Sequence, residues 1–504
     1  MRIHPAAAGR VLRGGLPWLL VSALAMQAGL ARAAEAVPTY TAVAGAPTLL
    51  LSGFDLAKLG YVTSEYFMSG TATAYRAAGT LGANGRWRVV PAGSAPFATR
   101  LVVVRPADAA RFNGTVVVEW LNVTAGQDAS PDWNAAHREM IRSGYAYVAV
   151  SAQKVGIDGG SVLGLMGVPL KKSNPTRYAA LSHPGDAYSF DIYSQAGRLL
   201  RSASGAALLG GLKAQRYIAA GESQSAVFMT TYVNAVDPVA KVYDGFLIHS
   251  RFGSAAALDN PGVAGGQGVP KHVQLRADLR VPVLTLITET DLMGARLSGY
   301  YGARAPDTRL SRTWEVPGTA HADNYTFNVG MMDSGSAPLD KMAAGLEPMS
   351  NVLGMKMAKA INNAPQHHYV LQAALANLDR WLRTGRAPAK AALMQVKPGV
   401  KADDAPSFVA DANGNTLGGV RTPWVDVPVA RLSGIGNTGG PLAFLAGVCE
   451  PFDAATLARL YPGGKAEYLK KFSVALASAI DAGFILPADR WEILQLAALG
   501  YHGS

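Results

Sequence analysis

The chain contains little cysteine and little charge for its length. Cys449 is the only cysteine among 504 residues, so one chain cannot form an internal disulfide and its folded state depends on a hydrophobic core. We expect Cys449 to be a small buried apolar side chain rather than a reactive thiol. Charged residues make up 16% of the sequence and hydrophobic residues 49%, which excludes an intrinsically disordered protein and indicates a globular one.

Several motifs that identify binding sites are also missing. There is no His-Glu-x-x-His pattern and no cysteine pair, so the sequence predicts no metal site and no cofactor. The glycine-rich residues 265–268 lack the Gly-Lys-Ser/Thr ending of a phosphate-binding loop.

The formal net charge is +11, but Lys and Arg form no block and are not interleaved with aromatic residues. A nucleic acid partner is therefore not expected. The sequence does not indicate an oligomeric state.

Long apolar runs are confined to the amino terminus. Three arginines precede an apolar stretch at residues 16–30, and Ala31-Arg32-Ala33 supplies the small-x-small pattern of a signal peptidase site. Residues 1–33 are thus predicted to be a cleavable signal peptide, with an uncleaved membrane anchor as the alternative. No other run is long and apolar enough to cross a bilayer, so we expect a periplasmic or secreted mature chain without a stable membrane span.

The order of predicted elements indicates one α/β unit at residues 34–504. From about residue 97 to residue 386, short β-branched runs alternate with helical stretches, which is typical of a mostly parallel sheet with helices on both faces. Residues 34–95 form a predicted β-rich segment that leads into this core. Residues 387–504 are predicted to be a carboxyl-terminal extension packed on the core, with a small independent domain as the alternative.

The most informative motif is Gly221-Glu222-Ser223-Gln224-Ser225. It follows a predicted buried strand at residues 216–220 and precedes a predicted helix at residues 226–232. A serine in a sharp strand-to-helix turn needs small neighbours because the strained backbone leaves little room for side chains. This geometry exposes the serine hydroxyl and directs the next backbone N–H toward the same point. Ser223 is therefore predicted to be a nucleophile.

A serine nucleophile needs a base and an orienting acid, which follow it along the chain in folds with this turn. The strand predicted at residues 281–287 is followed by Thr288-Glu289-Thr290-Asp291. We expect Asp291, in the loop past the strand, to be the acid, and Glu289 is the alternative. The base is predicted to be His321, in a tight loop after a short strand. His367 and His368, at the start of a helix, are interpreted as surface or capping residues.

Acyl transfer also requires hydrogen-bond donors for the oxyanion of the tetrahedral intermediate. One predicted donor is the backbone N–H of Gln224, directly after the nucleophile. The second is expected in the loop after the strand that ends at Leu121, where Asn122, Val123 and Thr124 are candidates and Val123 is chosen among them.

Together these residues resemble a family of mostly bacterial, often exported α/β-hydrolase domain proteins, and the resemblance covers nearly the whole mature chain. The segments that carry it are Val117-Val118-Glu119-Trp120-Leu121-Asn122-Val123, His183-Pro184-Gly185-Asp186, Ser189-Phe190-Asp191, Gly221-Glu222-Ser223-Gln224-Ser225, Thr288-Glu289-Thr290-Asp291, Pro317-Gly318-Thr319-Ala320-His321, Gly418-Gly419-Val420-Arg421-Thr422-Pro423 and Val425-Asp426-Val427-Pro428. The resemblance implies an α/β-hydrolase fold and esterase chemistry, and it does not supply a substrate.

The leading functional hypothesis is a secreted or periplasmic serine hydrolase that cleaves a carboxylic ester through an acyl-enzyme intermediate, using Ser223, Asp291 and His321, with a small-molecule ester as substrate. Two alternatives stay open. The same triad could serve an amidase, a lactonase or an acyltransferase, and a hydrolase fold could serve a non-catalytic binding protein.

Overall fold

The computed structural model describes Met1 and residues 37–160, 167–259, 266–294, 296–401 and 407–503. Residues Pro38–Ser504 form one compact unit. The predicted signal peptide, apart from Met1, lies outside the described residues. None of the helices in the described part of the chain combines the length and the apolar character needed to cross a bilayer.

A sheet of nine strands forms the centre of the described structure. Its strand order is β1-β2-β3-β5-β4-β6-β7-β8-β9, with the strands at β1 (Thr39–Val43), β2 (Tyr61–Ala77), β3 (Val89–Pro106), β4 (Thr115–Trp120), β5 (Ala146–Val150), β6 (Arg216–Glu222), β7 (Gly245–His249), β8 (Val283–Thr288) and β9 (Ser311–Val316). Two short antiparallel pairs lie outside it, β10 (Asn351–Val352) with β11 (Met355–Lys356) and β12 (Ala430–Ser433) with β13 (Val448–Pro451).

The sheet divides into an antiparallel and a parallel part. β1, β2, β3 and β5 pair antiparallel, whereas β5, β4, β6, β7, β8 and β9 pair parallel in that order. The β-rich segment that leads into the core is therefore the antiparallel edge of the same sheet. The predicted α/β fold with a mostly parallel sheet is confirmed.

Helices connect the parallel strands and cover the sheet. They are α1 (Pro131–Arg142), α2 (Lys154–Asp158), α3 (Leu170–Ser173), α4 (Ser189–Arg201), α5 (Ala203–Leu208), α6 (Gln224–Thr231), α7 (Asp237–Ala240), α8 (Glu289–Met293), α9 (Leu339–Gly345), α10 (Gln366–Thr384), α11 (Pro423–Asp426), α12 (Ala443–Ala446), α13 (Ala454–Leu460), α14 (Gly464–Asp481) and α15 (Arg490–Leu499). Single turns of 3₁₀ or π helix lie at Leu56–Leu59, Ala109–Arg111, Asp186–Tyr188, Tyr232–Val236, Tyr300–Ala303, Tyr325–Val329 and Pro487–Asp489.

Two hydrophobic cores lie on opposite faces of the sheet. Along β4, Val116 and Val118 belong to the core that contains Phe190 of α4, whereas Val117 belongs to the core that contains Trp133 of α1. This alternation follows from the two-residue period of a strand. Because both faces are covered, β4 consists of consecutive buried residues, as is typical of parallel strands.

The carboxyl-terminal extension packs against α10. Tyr369 of α10 shares a buried cluster with Phe472 of α14 and Ile493 of α15. Cys449 in β13 is buried, as the sequence predicts, and burial raises the pKa of its thiol to about 12. The carboxyl ends of β4, β6, β8 and β9 lie at the same edge of the sheet, where ligands bind in open α/β folds.

Candidate active site

Ser223 lies in a strained turn between β6 and α6. Its φ is +56° and its ψ is −117°, a backbone conformation that residues other than glycine rarely adopt. Gly221 makes the turn possible, because a Cβ atom there would lie only 3.2 Å from the backbone oxygen of Ser225. The N–H of Ser223 donates to the carbonyl of His249 at 3.0 Å, which fixes the turn against β7.

The structure brings together the three residues that the sequence singles out as a triad. Nε2 of His321 lies 2.7 Å from Oγ of Ser223, and Nδ1 of His321 lies 2.6 Å from Oδ1 of Asp291. Asp291 is fully buried, and Ser223 and His321 are 8% and 6% exposed. This arrangement can withdraw a proton from the serine hydroxyl and stabilise the resulting imidazolium.

Asp291 is held by a capping box rather than by a loop. The sequence places it in the loop after β8, but it is the third residue of the short helix α8. Its Oδ2 accepts the N–H of Thr288 at 2.8 Å, and its own N–H donates to the Thr288 hydroxyl at 3.3 Å. These reciprocal bonds satisfy donors at the helix start and fix the carboxylate.

Glu289, the alternative acid, faces away from the imidazole. Its Oε1 accepts the N–H of Gly318 at 2.7 Å, and its Oε2 accepts the Ser433 hydroxyl at 3.0 Å and the Gly434 N–H at 2.8 Å. Both oxygens are thus engaged with the loop before His321 and with the carboxyl-terminal extension.

Charge and burial shift the proton affinities of the triad. Burial alone would lower the pKa of His321, but the charges of Asp291 and Glu222 and the hydrogen bond to Asp291 outweigh it and raise the pKa. Burial alone would raise the pKa of Asp291, but the charge and hydrogen bond of His321, with the bonds from Thr288, hold it below its usual value. Asp291 is therefore the ionised partner of the imidazole.

Glu222 is a second carboxylate at His321 that sequence reasoning misses. Its Oε1 lies 3.2 Å from His321 Nε2, and its Oε2 accepts the Asn122 side-chain amide at 3.0 Å. Burial raises the pKa of Glu222 to about 8, although the charge of His321 opposes the shift. The signal in the sequence is a charged residue inside the turn motif, directly before Ser223.

Two hydrogen-bonded, buried imidazoles, those of His249 and His367, lie beside the triad. Nε2 of His249 is 2.7 Å from Nε2 of His367, and Nδ1 of His249 is 2.9 Å from Oδ1 of Asp132. Burial lowers the pKa of each of these histidines to about 3 and raises the pKa of Asp132 to about 8. The interpretation of His367 and His368 as surface or capping residues is wrong, because they are 4% and 2% exposed.

The three candidates for the second oxyanion donor differ in the hydrogen bonds that their backbone N–H groups already make. The N–H of Asn122 donates to the carbonyl of Ala129 at 2.9 Å, and the N–H of Thr124 donates to Oδ1 of Asn122 at 2.7 Å. The N–H of Val123 makes only a long bond, 3.4 Å, to the side chain of Gln224. Of the three N–H groups, that of Val123 would lose the weakest hydrogen bond on donating to a substrate oxygen.

One group of potential metal ligands contains no residue of the triad. Within the described residues, Asp333, His368 and Glu492 place one ligand atom each within 4.8 Å of one another. Arg138 already pairs with these carboxylates, with Nη1 at 2.8 Å from Asp333 and 2.6 Å from Glu492. The donor set does not favour a metal ion, because the Arg138 guanidinium already binds both carboxylates.

Comparison with known proteins identifies a family. The family model described as an alpha/beta hydrolase domain matches residues 29–495 of this chain. No curated protein matches the chain significantly.

Solved esterase structures show weak similarity. Esterase Est22 is 13% identical, with 58% of this chain and 79% of that chain covered and a TM-score of 0.29. A thermostable esterase from Pseudomonas putida ECU1011 is 15% identical, with 55% and 74% covered and a TM-score of 0.26. A fungal esterase from Rhizomucor miehei is 12% identical, with 56% and 75% covered and a TM-score of 0.23. Similarities at this level do not transfer a substrate to this chain.

Proposed function

This chain belongs to the alpha/beta hydrolase domain family, and we propose that it is a serine hydrolase that cleaves a carboxylic ester through an acyl-enzyme intermediate. The observation that carries the proposal is the continuous line of hydrogen bonds from Ser223 Oγ through His321 to Asp291, at 2.7 Å and 2.6 Å. Such a line converts a weakly nucleophilic hydroxyl into an effective nucleophile.

In the first half-reaction, the Ser223 oxygen attacks the ester carbonyl carbon while its proton moves to Nε2 of His321. The carbonyl oxygen becomes an oxyanion, for which the N–H groups of Gln224 and Val123 are the proposed donors. The carbon–oxygen bond to the alcohol then breaks, and the alcohol leaves with the proton from His321. Asp291 stabilises the imidazolium during both transfers.

In the second half-reaction, a water molecule gives its proton to His321 Nε2 and its oxygen attacks the acyl carbon. The bond from that carbon to Ser223 breaks, the serine oxygen regains the proton, and the carboxylic acid leaves. Glu222 is positioned to stabilise the imidazolium of each transition state in its ionised form, because its Oε1 lies 3.2 Å from Nε2.

A fluorophosphonate probe tests the proposal directly, because it labels activated serine hydroxyls. The wild-type chain should be labelled and should hydrolyse a simple ester such as p-nitrophenyl acetate. Ser223→Ala should remove labelling and lower turnover on the order of 10⁴-fold or more, because only binding and the oxyanion donors remain.

Ser225→Ala is the matched control. Ser225 is a fully buried serine of the same turn, two residues from Ser223, and its loss should leave labelling intact. Absence of labelling in the wild type, or equal labelling in Ser223→Ala, would contradict the proposal. A panel of p-nitrophenyl esters, anilides and lactones then separates ester cleavage from amidase and lactonase activity with the same triad.

A further inference from the structure

A small apolar cavity opens directly beside the nucleophile. It is lined by Thr124, Ser223, Gln224, Val227, Phe252, Leu297 and Leu445. Its volume is about 10 Å³, the space of one water-sized group. We infer that the enzyme accepts esters with a two-carbon acyl group, and that Leu445 of the carboxyl-terminal extension limits acyl length. This inference rests on the proposed function of Ser223.

Reaction geometry assigns the cavity to the acyl group. The tetrahedral carbon carries the serine oxygen, the oxyanion, the leaving alcohol and the acyl substituent. The leaving oxygen must face His321, which supplies its proton. His321 does not line this cavity but lines a separate one with Glu222 and His249. The group beside Val227 and Leu445 is therefore the acyl substituent.

The chemistry of the cavity matches a short, uncharged acyl group. Its polar members, Thr124, Ser223 and Gln224, lie on the side where the oxyanion forms. The hydroxyl of Thr124 is buried without a hydrogen-bond partner among the described residues, so it is available to the substrate carbonyl oxygen. The other walls are apolar, and no charged side chain of the described residues lines the cavity.

The apolar walls are attached to the catalytic loop. The carbonyl of Leu445 accepts the N–H of Ala322 at 3.0 Å, next to His321, and the carbonyl of Ala446 accepts the N–H of Asn362 at 2.9 Å. The ring of Phe252 stacks on His321 with centroids 5.2 Å apart. The backbone of Leu445 therefore cannot retreat from a longer acyl chain without moving the loop that carries the base.

The remaining wall is also tightly packed. A Cβ atom on Gly294 would lie 2.2 Å from the oxygen of Leu297, and one on Gly299 would lie 2.5 Å from the oxygen of Leu292. The segment that carries Leu297 is thus folded tightly against the end of α8. A four-carbon acyl chain would have to displace side chains from a close-packed site.

The experiment compares kcat/KM for p-nitrophenyl acetate, butyrate and octanoate, which share one leaving group. Wild-type kcat/KM should be at least about 10-fold higher for acetate than for butyrate, and lower again for octanoate, because each excess methylene in a tight pocket has an effect of this order. Leu445→Ala should raise the butyrate-to-acetate ratio by about 10-fold or more.

Leu496→Ala is the matched control, because Leu496 is a buried leucine of the same extension that does not line the cavity. It should leave the acyl-length ratio unchanged. If Leu445→Ala does not fold, Val227→Ala enlarges the cavity at another lining residue and should shift the ratio in the same direction.

Two failures are distinguishable. Equal or higher wild-type kcat/KM for butyrate or octanoate, or an unchanged ratio in folded Leu445→Ala, overturns the acyl-length inference while Ser223-dependent esterase activity stands. No Ser223-dependent turnover of any ester overturns the proposed function, and the inference with it.

Discussion

The carboxylate of Glu289 accepts the backbone N–H of Gly434 at 2.8 Å, across 145 positions of the chain. This bond ties the residue two positions before Asp291 to the carboxyl-terminal extension. The Ser433 hydroxyl reinforces it from the same side, and Gly318 binds the other oxygen. The extension is thus part of the framework that positions the proposed acid, and the two neighbouring carboxylates have different roles.

Because the two carboxylates have different roles, their replacement by amides should affect different quantities, kcat for Asp291 and the free energy of unfolding for Glu289. Asp291→Asn should lower kcat by about 10⁴-fold, because the amide favours the wrong imidazole tautomer, as in chymotrypsin-type triads. Glu289→Gln should leave kcat within about 10-fold but lower the free energy of unfolding by about 1–3 kcal/mol, because an NH₂ group then faces buried N–H donors. Ester kinetics and denaturant unfolding of both variants measure this. A reversed ranking in kcat would make Glu289 the acid.

Gly434 should tolerate no side chain. A Cβ atom there would lie 2.3 Å from the oxygen of Thr319 and 2.6 Å from the nitrogen of Thr290. Gly434→Ala should therefore lower the free energy of unfolding by about 1–3 kcal/mol. It should also lower kcat, because Thr290 directly precedes Asp291 and Thr319 lies two residues before His321. Gly440→Ala is the control, since its Cβ would meet no atom closer than 3.4 Å. Equal unfolding free energies for the two variants would refute the steric argument.

The sequence predicts the fold because the α/β pattern is local. Most of the parallel strands are short apolar runs, and the longer helices α1, α4 and α10 are amphipathic. The turn at Ser223 is also local, since Gly221 and the flanking elements determine it. Even so, α8 is missed, because five residues held by a capping box carry too little periodicity to distinguish a helix from a loop.

The surroundings of the triad cannot be predicted in the same way. Glu222, His249 and His367 come from β6, β7 and α10, and only the packed sheet brings them together. Polar residues at the ends of helices and strands are usually exposed, but these three are buried. Each forms a hydrogen bond with a partner far along the chain. The sequence marks Glu222 only by a charge inside the turn motif, and it contains no local signal for the pairs that these residues form.

Glu222 should control the proton affinity of the base. Burial raises the pKa of Glu222 to about 8, and its ionised form raises the pKa of His321, so the two groups titrate as a pair and Glu222→Gln should lower the pKa of His321. Activity requires neutral His321 and is lost as pH falls through its pKa, so the acid limb of the kcat/KM profile should move to lower pH. Glu289→Gln, which lacks contact with the imidazole, should not move it. An unshifted acid limb in Glu222→Gln would show that the carboxylate does not act on His321.

Catalysis should not require a metal ion. The group formed by Asp333, His368 and Glu492 is paired with Arg138, and a serine mechanism needs no metal. Esterase activity should survive dialysis against EDTA, with p-nitrophenyl acetate turnover as the measurement. Loss of activity that one divalent ion restores would identify a metal site and refute this expectation.

Export is the last expectation, and it depends on the sequence alone. The charged start, the apolar residues 16–30 and Ala31-Arg32-Ala33 together favour cleavage after residue 33. The mature chain should therefore begin near Ala34 and lie outside the cytoplasm, and intact-mass measurement of the separated cytoplasmic, membrane, periplasmic and secreted fractions of the native host checks both points. Ala33→Leu should block cleavage, because signal peptidase requires a small residue there. A full-length wild-type mass in the membrane fraction would instead identify an anchor, because an uncleaved apolar stretch would hold the enzyme at the bilayer.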